Sequence, residues 1–191
     1  MEEKNIISCK NREEWRSWLF THFEVEEEIW LVIPNDYKDN NSVNYNDAVE
    51  EALCVNWIDG IAYSYDDSHQ IRRFTPRKNN KHYSQLNIER LIFLEGHHLI
   101  HPKYEEAVRK ITSKPFKYPS RIINALQKDE VVWNNYLAFS DSYKKIRIAH
   151  IMDAKGDKKE FKKRLTNFIN KTRANKIITG FGGSEKYYQN I

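Results

Sequence analysis

Between Trp57 and Pro76 the chain reads WIDGIAYSYDDSHQIRRFTP, two short arms around a turn. Ile61, Tyr63 and Tyr65 alternate along the first arm, and Ile71 and Phe74 lie on the second. The Asp-Asp-Ser-His run between them has turn chemistry, and Pro76, which cannot donate to a ladder, stops the second arm. A hairpin of this kind needs a cover for its apolar side, so the rest of the chain is read for what supplies it.

The preceding segments supply helices and one more strand. Asn11 and Glu14 are spaced as a capping pair, and Trp15, Trp18, Leu19 and Phe23 after them share a helical face. The apolar run IWLVI at 29–33 reads as a strand ended by Pro34. A polar loop, DYKDNNSVN, leads to Asn44 and Asp47, which open a second helix with Ala48, Val49, Ala52 and Leu53 inward. After the hairpin, Ser84 is a good N-cap for QLNIERLIFLEG, Tyr83 and Ile88 have the spacing of a hydrophobic staple, and Gly96 follows the end. Pro102 suits the first position of a helix through Val108 and Ile111. The proline-containing stretch SKPFKYP reads as a linker. Three helices are expected beyond it, at about 120–139 with a break near Asp129, at 142–154 and at 158–173. The last carries Phe161, Leu165, Phe168 and Ile169 as its apolar stripe. The expected fold is α+β: a small antiparallel sheet with a β-hairpin packed by helices, followed by a helical C-terminal segment. The expected divisions are an α+β domain over 1–118, a helical segment over 119–176, and a loosely held tail over 177–191.

Charge is distributed unevenly. The 191 residues carry a net +4. Residues 1–67 hold 5 Lys/Arg against 16 Asp/Glu, residues 68–143 hold 13 against 7, and residues 144–191 hold 13 against 4. Such polarity implies attraction within the chain, a basic surface for an anionic partner, or solvated helix faces. No apolar run is long enough for a membrane span. The acidic start, MEEKNIISCKNREEW, lacks the apolar core of a secretory leader. Two cysteines, Cys9 and Cys54, without Cys-x-x-Cys spacing, suit a reducing compartment. A cytoplasmic protein is therefore expected, and no sequence pattern calls for a cofactor.

The stretch NYNDAVEEALCVNWIDG, then Asp66, RFTPRK and YSQLN, resembles the bacteriocin-protection, YdeI or OmpD-associated family. Trp57, Asp59, Gly60, Asp66, Arg73, Phe74, Pro76, Arg77, Ser84 and Asn87 stand where that family has the same residues. The likeness runs from about Trp15 to Ile169 and includes the helical segment from Pro119. Departures are Asn56 where the family has Gly, Lys81 for Ser, Tyr83 for Trp, and Phe161-Lys162 for Thr-Arg. The resemblance implies a fold and an association with tolerance of antimicrobial peptides or bacteriocins, and no particular reaction.

Four chemistries follow from the residues. The first is an anion site. Arg73 comes from the hairpin, Arg77 and Lys78 from the turn after Pro76. Ser84 and Asn87 lie at the following helix N-terminus, which offers N–H groups to a phosphate or carboxylate. Trp57, Asp59 and Asp66 complete the set of candidate ligand-binding residues. The alternative reading makes Arg73 and Arg77 structural, paired with Asp59 and Asp66 across the hairpin. The second is a nucleic acid or other polyanion on the basic C-terminal helices, with Lys144, Lys145, Arg147, Lys158, Lys159, Lys162, Lys163 and Lys176 on phosphates and His82 and Tyr83 stacking. The third is a metal at His97, His98 and His101, which Pro102 disfavours by pulling His101 out of helical geometry. The fourth is acid–base catalysis by Asp59. A small anionic ligand is the partner the residues favour.

Overall fold

A computed structural model describes residues 5–36, 42–78, 83–180 and 184–188. The chain divides into two compact units, one of residues 1–83 and 90–112, the other of 84–89 and 113–191.

The first unit contains a four-stranded sheet of order β1-β2-β4-β3, built from β1 (Ile6–Ile7), β2 (Ile29–Pro34), β3 (Trp57–Ser64) and β4 (His69–Pro76). The hairpin β3–β4 and the pair β2–β4 are antiparallel, and β1 runs parallel to β2. The sheet is thus mixed rather than purely antiparallel. Two-residue β1 is too short to leave a period in the sequence. All of β2 is buried, as befits an inner strand covered on both faces. Ile29, Leu31 and Ile33 point to the main core, while Trp30 and Val32 meet Ile71 on the opposite face. The exposed Tyr63 covers that second face by stacking on Trp30, with ring centroids 5.4 Å apart.

Two helices cover the core face. In α1 (Arg12–His22), Asn11 accepts from the Glu14 N–H at 2.9 Å. Trp15 and Leu19 are fully buried, and the Trp15 indole N–H is satisfied by the Ala48 carbonyl at 3.1 Å. In α2 (Tyr45–Cys54), Asn44 caps the Asp47 N–H at 3.0 Å. Ala48, Val49, Ala52 and Leu53 are inward as expected. So, unexpectedly, are Glu50 and Glu51, at 0% and 1% exposure. Their partners come from α1. Arg12 reaches Asp47 at 3.0 Å, Glu50 at 2.8 Å and Glu51 at 2.5 Å, and Arg16 reaches Glu51 at 2.6 Å. Arg16 also donates to the Leu99 carbonyl at 2.7 Å. Burial works against the Arg12 charge, yet Glu51 and Glu50 raise its pKa above the ordinary arginine value. Cys9 and Cys54 are free and buried. Burial, then Glu14, pushes the Cys9 thiol up to about 11, and burial, then Glu51, pushes Cys54 up to about 12. Both stay protonated and pack as small apolar groups.

Asn56 leaves α2 in the left-handed region at φ 59°. Glycine adopts that conformation without cost and asparagine tolerates it, which explains why a Gly position can be held by Asn here. Further along, α3 (Gln85–Gly96) buries Leu91 and Leu94 in this core, and a 3-10 turn at Pro102–Tyr104 leads into α4 (Glu105–Thr112).

The second unit is helical: α5 (Ser120–Leu126), α6 (Glu130–Ala138), α7 (Asp141–Asp153) and α8 (Lys158–Arg173). The break falls at Asp129, whose side chain accepts from the Val132 N–H at 3.0 Å and caps α6. Phe161 and Phe168 of α8 join Ile122, Leu126, Val132 and Tyr143 in a separate core. The stretch expected to be loosely held contains a 3-10 helix at Ser184–Tyr188 with Tyr187 and Ser184 buried. Tyr188 packs edge-on against Tyr143 at 4.8 Å. Gly182 and Gly183 of that stretch, and most of the polar loop before Asn44, lie outside the described residues. No helix among the described residues is long and apolar enough to cross a membrane.

Glu51→Ala removes one carboxylate from two arginines in a largely dry helix interface. It is expected to lower unfolding free energy by about 3 kcal/mol, seen as a lower urea midpoint with unchanged slope.

Candidate functional site

Successive residues of a strand point to opposite faces, and on β4 this separates two adjacent arginines. Arg72 and Phe74 face the helices, while Arg73, opposite Trp30, faces away. Strand β3 is shifted by one residue between Asp59 and Ala62, so Asp59 stands opposite Phe74 and Ala62 opposite Arg72. The bulge leaves Asp59 and Arg72 as diagonal neighbours on the core face, within reach of one another.

Asp59 Oδ2 accepts from Arg72 Nη1 at 3.0 Å and from the Tyr45 hydroxyl at 3.0 Å. The Arg72 guanidinium also lies over the Tyr45 ring at 4.5 Å and donates to the Gly60 carbonyl at 3.3 Å. Its Nε is buried and has no hydrogen-bond partner among the described residues. Burial and then Asp59 raise the Tyr45 pKa, against the pull of Arg72 and Arg90. Arg90, buried on α3, donates from Nη2 to Asn46 Oδ1 at 3.0 Å.

Arg77 adds a third guanidinium. Its backbone N–H donates to the Asn56 carbonyl at 2.9 Å, which ties the end of the hairpin to the end of α2. Its guanidinium stacks on the Tyr83 ring at 4.0 Å, and the Tyr83 hydroxyl donates to Asn56 Oδ1 at 2.9 Å. Burial lowers the Arg77 pKa, while Tyr83 and Asp59 pull it up. Burial raises the Tyr83 pKa. Three guanidiniums thus lie within electrostatic reach of the Asp59–Tyr45 hydrogen bond: Arg72 bonds Asp59, Asp59 acts on Arg77, and Arg90 acts on Tyr45.

The opposite face has a different balance. Arg73 donates from Nε and Nη2 to Glu28 Oε2 at 2.8 and 2.5 Å. Arg73 and Lys78 line an open groove with Glu27, Glu28, Ile58 and Thr75. Two acids there balance two bases, so the groove has no surplus of charge for an anion.

Several residues expected at one site are therefore apart. Asp59 pairs with Arg72, and the strand alternation turns Arg73 to the other face; Asp59 also acts electrostatically on Arg77. Asp66 pairs with no arginine among the described residues; it closes the hairpin turn by accepting from the Ser68 N–H at 2.7 Å and His69 Nδ1 at 2.9 Å. Trp57, read as a ligand contact, is 1% exposed, with its indole N–H on the Phe23 carbonyl at 3.3 Å, and serves the core. Ser84 caps α3 by accepting from the Asn87 N–H at 3.3 Å; both belong to the second unit. Lys81 and His82 lie outside the described residues. Of the histidine run, His97 Nδ1 bonds the Phe93 carbonyl at 2.8 Å, His98 adopts φ 55°, and His101 Nδ1 accepts from the Lys103 N–H at 3.2 Å. Residues absent from the sequence-based candidate set are Tyr45 and Arg72. The alternation of IRRF across β4 was the available signal for Arg72.

Residues 7–107 match a family described as a domain of unknown function (DUF8412). Residues 115–175 match the bacteriocin-protection, YdeI or OmpD-associated family. The motif stretch 57–87 lies within the first match, the helical segment within the second. No curated protein and no solved structure matches the chain.

Asp59→Asn keeps the shape and removes the charge that Arg72 faces. A loss of about 1–2 kcal/mol is expected, with Tyr45→Phe costing about 1 kcal/mol, both read from urea denaturation. An Asp59→Asn midpoint equal to wild type would contradict the structural role and favour Asp59 as an acid–base group.

Proposed function

As a member of the DUF8412 family with a bacteriocin-protection, YdeI or OmpD-associated segment after it, the chain carries no reaction by inheritance, and we propose that its first unit binds a small phosphate-bearing anion through the guanidiniums of Arg72, Arg77 and Arg90. The observation that carries this reading is that Asp59 accepts from Arg72 and Tyr45 and acts electrostatically on Arg77, while Arg90 acts on Tyr45. Guanidinium forks suit phosphate because they present paired donors in a plane. Stacking on Tyr83 holds the Arg77 guanidinium by its face. Buried, protonated cysteines suit a cytoplasmic accessory protein. Arg73 acts in this reading as a structural partner of Glu28.

Thermal unfolding in phosphate, nucleotides and sugar phosphates tests the proposal. A ligand at a hundred times its Kd stabilises by about 2.7 kcal/mol. Arg77→Gln is expected to weaken that binding about tenfold, the worth of one charge-assisted bond. Equal stabilisation of wild type and an Arg72→Gln/Arg77→Gln variant, or none of either, sinks the reading.

A polyanion on α8 is the second reading, favoured by an open groove lined by Lys159, Lys162, Lys163, Thr166, Asn167 and Asn170. It predicts RNA or DNA binding that falls steeply with salt. Lys158→Glu with Lys162→Glu should abolish that binding and leave small-anion binding by the first unit intact; no mobility shift at low salt removes it.

A further inference from the structure

The second unit holds a small cavity of about 110 Å³ between α7 and α8. Its polar lining is Arg147 and His150 from α7 and Arg164 and Asn167 from α8, against an apolar wall of Phe168 and Ile178. All four polar side chains can donate hydrogen bonds, and the two arginines keep their charge at any ordinary pH. The volume is a few times the roughly 30 Å³ that a water takes up in the liquid. That is room for one tetrahedral oxyanion.

The arginines are held in place by neighbouring groups. Arg164 Nη1 donates to the His150 carbonyl at 2.7 Å, and its Nε to Glu160 at 2.9 Å. Arg164 Nη1 also stands 3.4 Å from His150 Nδ1. Arg147, only 4% exposed, donates to the Ile178 carbonyl at 3.4 Å and interacts with Tyr188. These contacts orient both guanidiniums toward the cavity they line. Burial first, then Arg164 and Arg147, lowers the His150 pKa, against Asp153 and Glu160, which raise it. A protonated His150 is thus disfavoured, and the charged groups that line the cavity are the two arginines.

From this geometry we infer a second oxyanion site, independent of the one proposed for the first unit: the α7–α8 cavity takes a phosphate or sulfate group, with Arg147 and Arg164 as charged donors and His150 and Asn167 completing the set. The ligand is the oxyanion head itself, free or as the head of a monoester whose remainder lies outside.

The test follows the His150 imidazole by NMR in the full chain during titration with inorganic phosphate, with His150→Gln assigning the signal among the seven histidines. Saturable movement is expected at millimolar phosphate, with the His150 pKa rising by roughly one unit, as an opposite charge at hydrogen-bond range produces. Asp153, Glu160, Arg147 and Arg164 face the same ring and are present throughout, so the change reports the added anion. Arg164→Gln should weaken the apparent affinity about tenfold or more, and Arg164→Lys, which keeps the charge without the fork, should fall between. Arg72→Gln should leave the His150 titration unchanged, which separates this site from the first. Equal affinity for phosphate and a monoester such as glycerol phosphate identifies a free ion as ligand; tighter monoester binding identifies an ester head. A His150 signal indifferent to phosphate in wild type, or a response unchanged in both Arg164 variants, overturns the inference.

Discussion

Strand β4 is hydrogen-bonded along both edges, to β2 and to β3, and the placement of the cations at 72, 73 and 77 depends on that. An inner strand cannot slip by one residue without turning Phe74 out of the core and Arg73 into it. Burial of Phe74 at 0% exposure therefore fixes Arg72 on the helix side and Arg73 on the far side. Each arginine then takes the carboxylate that its face provides, Asp59 for Arg72 and Glu28 for Arg73. Two cations adjacent in sequence end in chemically different surroundings, one over a tyrosine ring and one in a charge-balanced groove.

The helices over that sheet depend on a second ionic arrangement. Glu50 and Glu51 are dry, and dry carboxylates are costly unless paired and hydrogen-bonded. Arg12 and Arg16 meet that requirement from α1, so the α1–α2 packing and the neutralisation of these carboxylates are one event. Other acids of the first 67 residues take cations from beyond that stretch, Glu28 from Arg73 and Asp59 from Arg72. The basic charge of the second half is partly used in the same way. Lys144 pairs with Asp141, Arg164 with Glu160 and Arg173 with Asp129. Arg147 is turned inward, toward Ile178 and Tyr188. What is left at the surface of α8 is a shorter lysine strip than the composition implies.

The junction at Asn56 links backbone conformation to the candidate site. A left-handed residue ends α2 and starts β3 in the space of one peptide. Its carbonyl then accepts from Arg77 and its side chain from Tyr83. The turn that a glycine would make equally well is here also a contact that positions a stacked arginine. Asparagine gives up some backbone ease and gains a hydrogen bond.

By itself the sequence determined the local elements. Caps at Asn11, Asn44 and Ser84, the break near Asp129, the hairpin arms and the apolar stripe of α8 are visible because capping and periodicity involve residues within a few positions of each other. A mixed α+β protein with a helical C-terminal half was legible on those grounds. Strand β1 was not, since two residues carry no period. Nor was the pairing of charges. Asp59 and Asp66 looked equivalent as partners for Arg73 and Arg77, yet one meets Arg72 and the other a turn. That choice depends on a one-residue bulge and on which face buries Phe74. The buried Glu50 and Glu51, the electrostatic reach of Arg72, Arg77 and Arg90 to the Asp59–Tyr45 hydrogen bond, and the arginine-lined cavity between α7 and α8 were likewise decided only by tertiary structure. Which distant side chains become neighbours depends on the register and packing that bury the most apolar surface, and no local pattern encodes that.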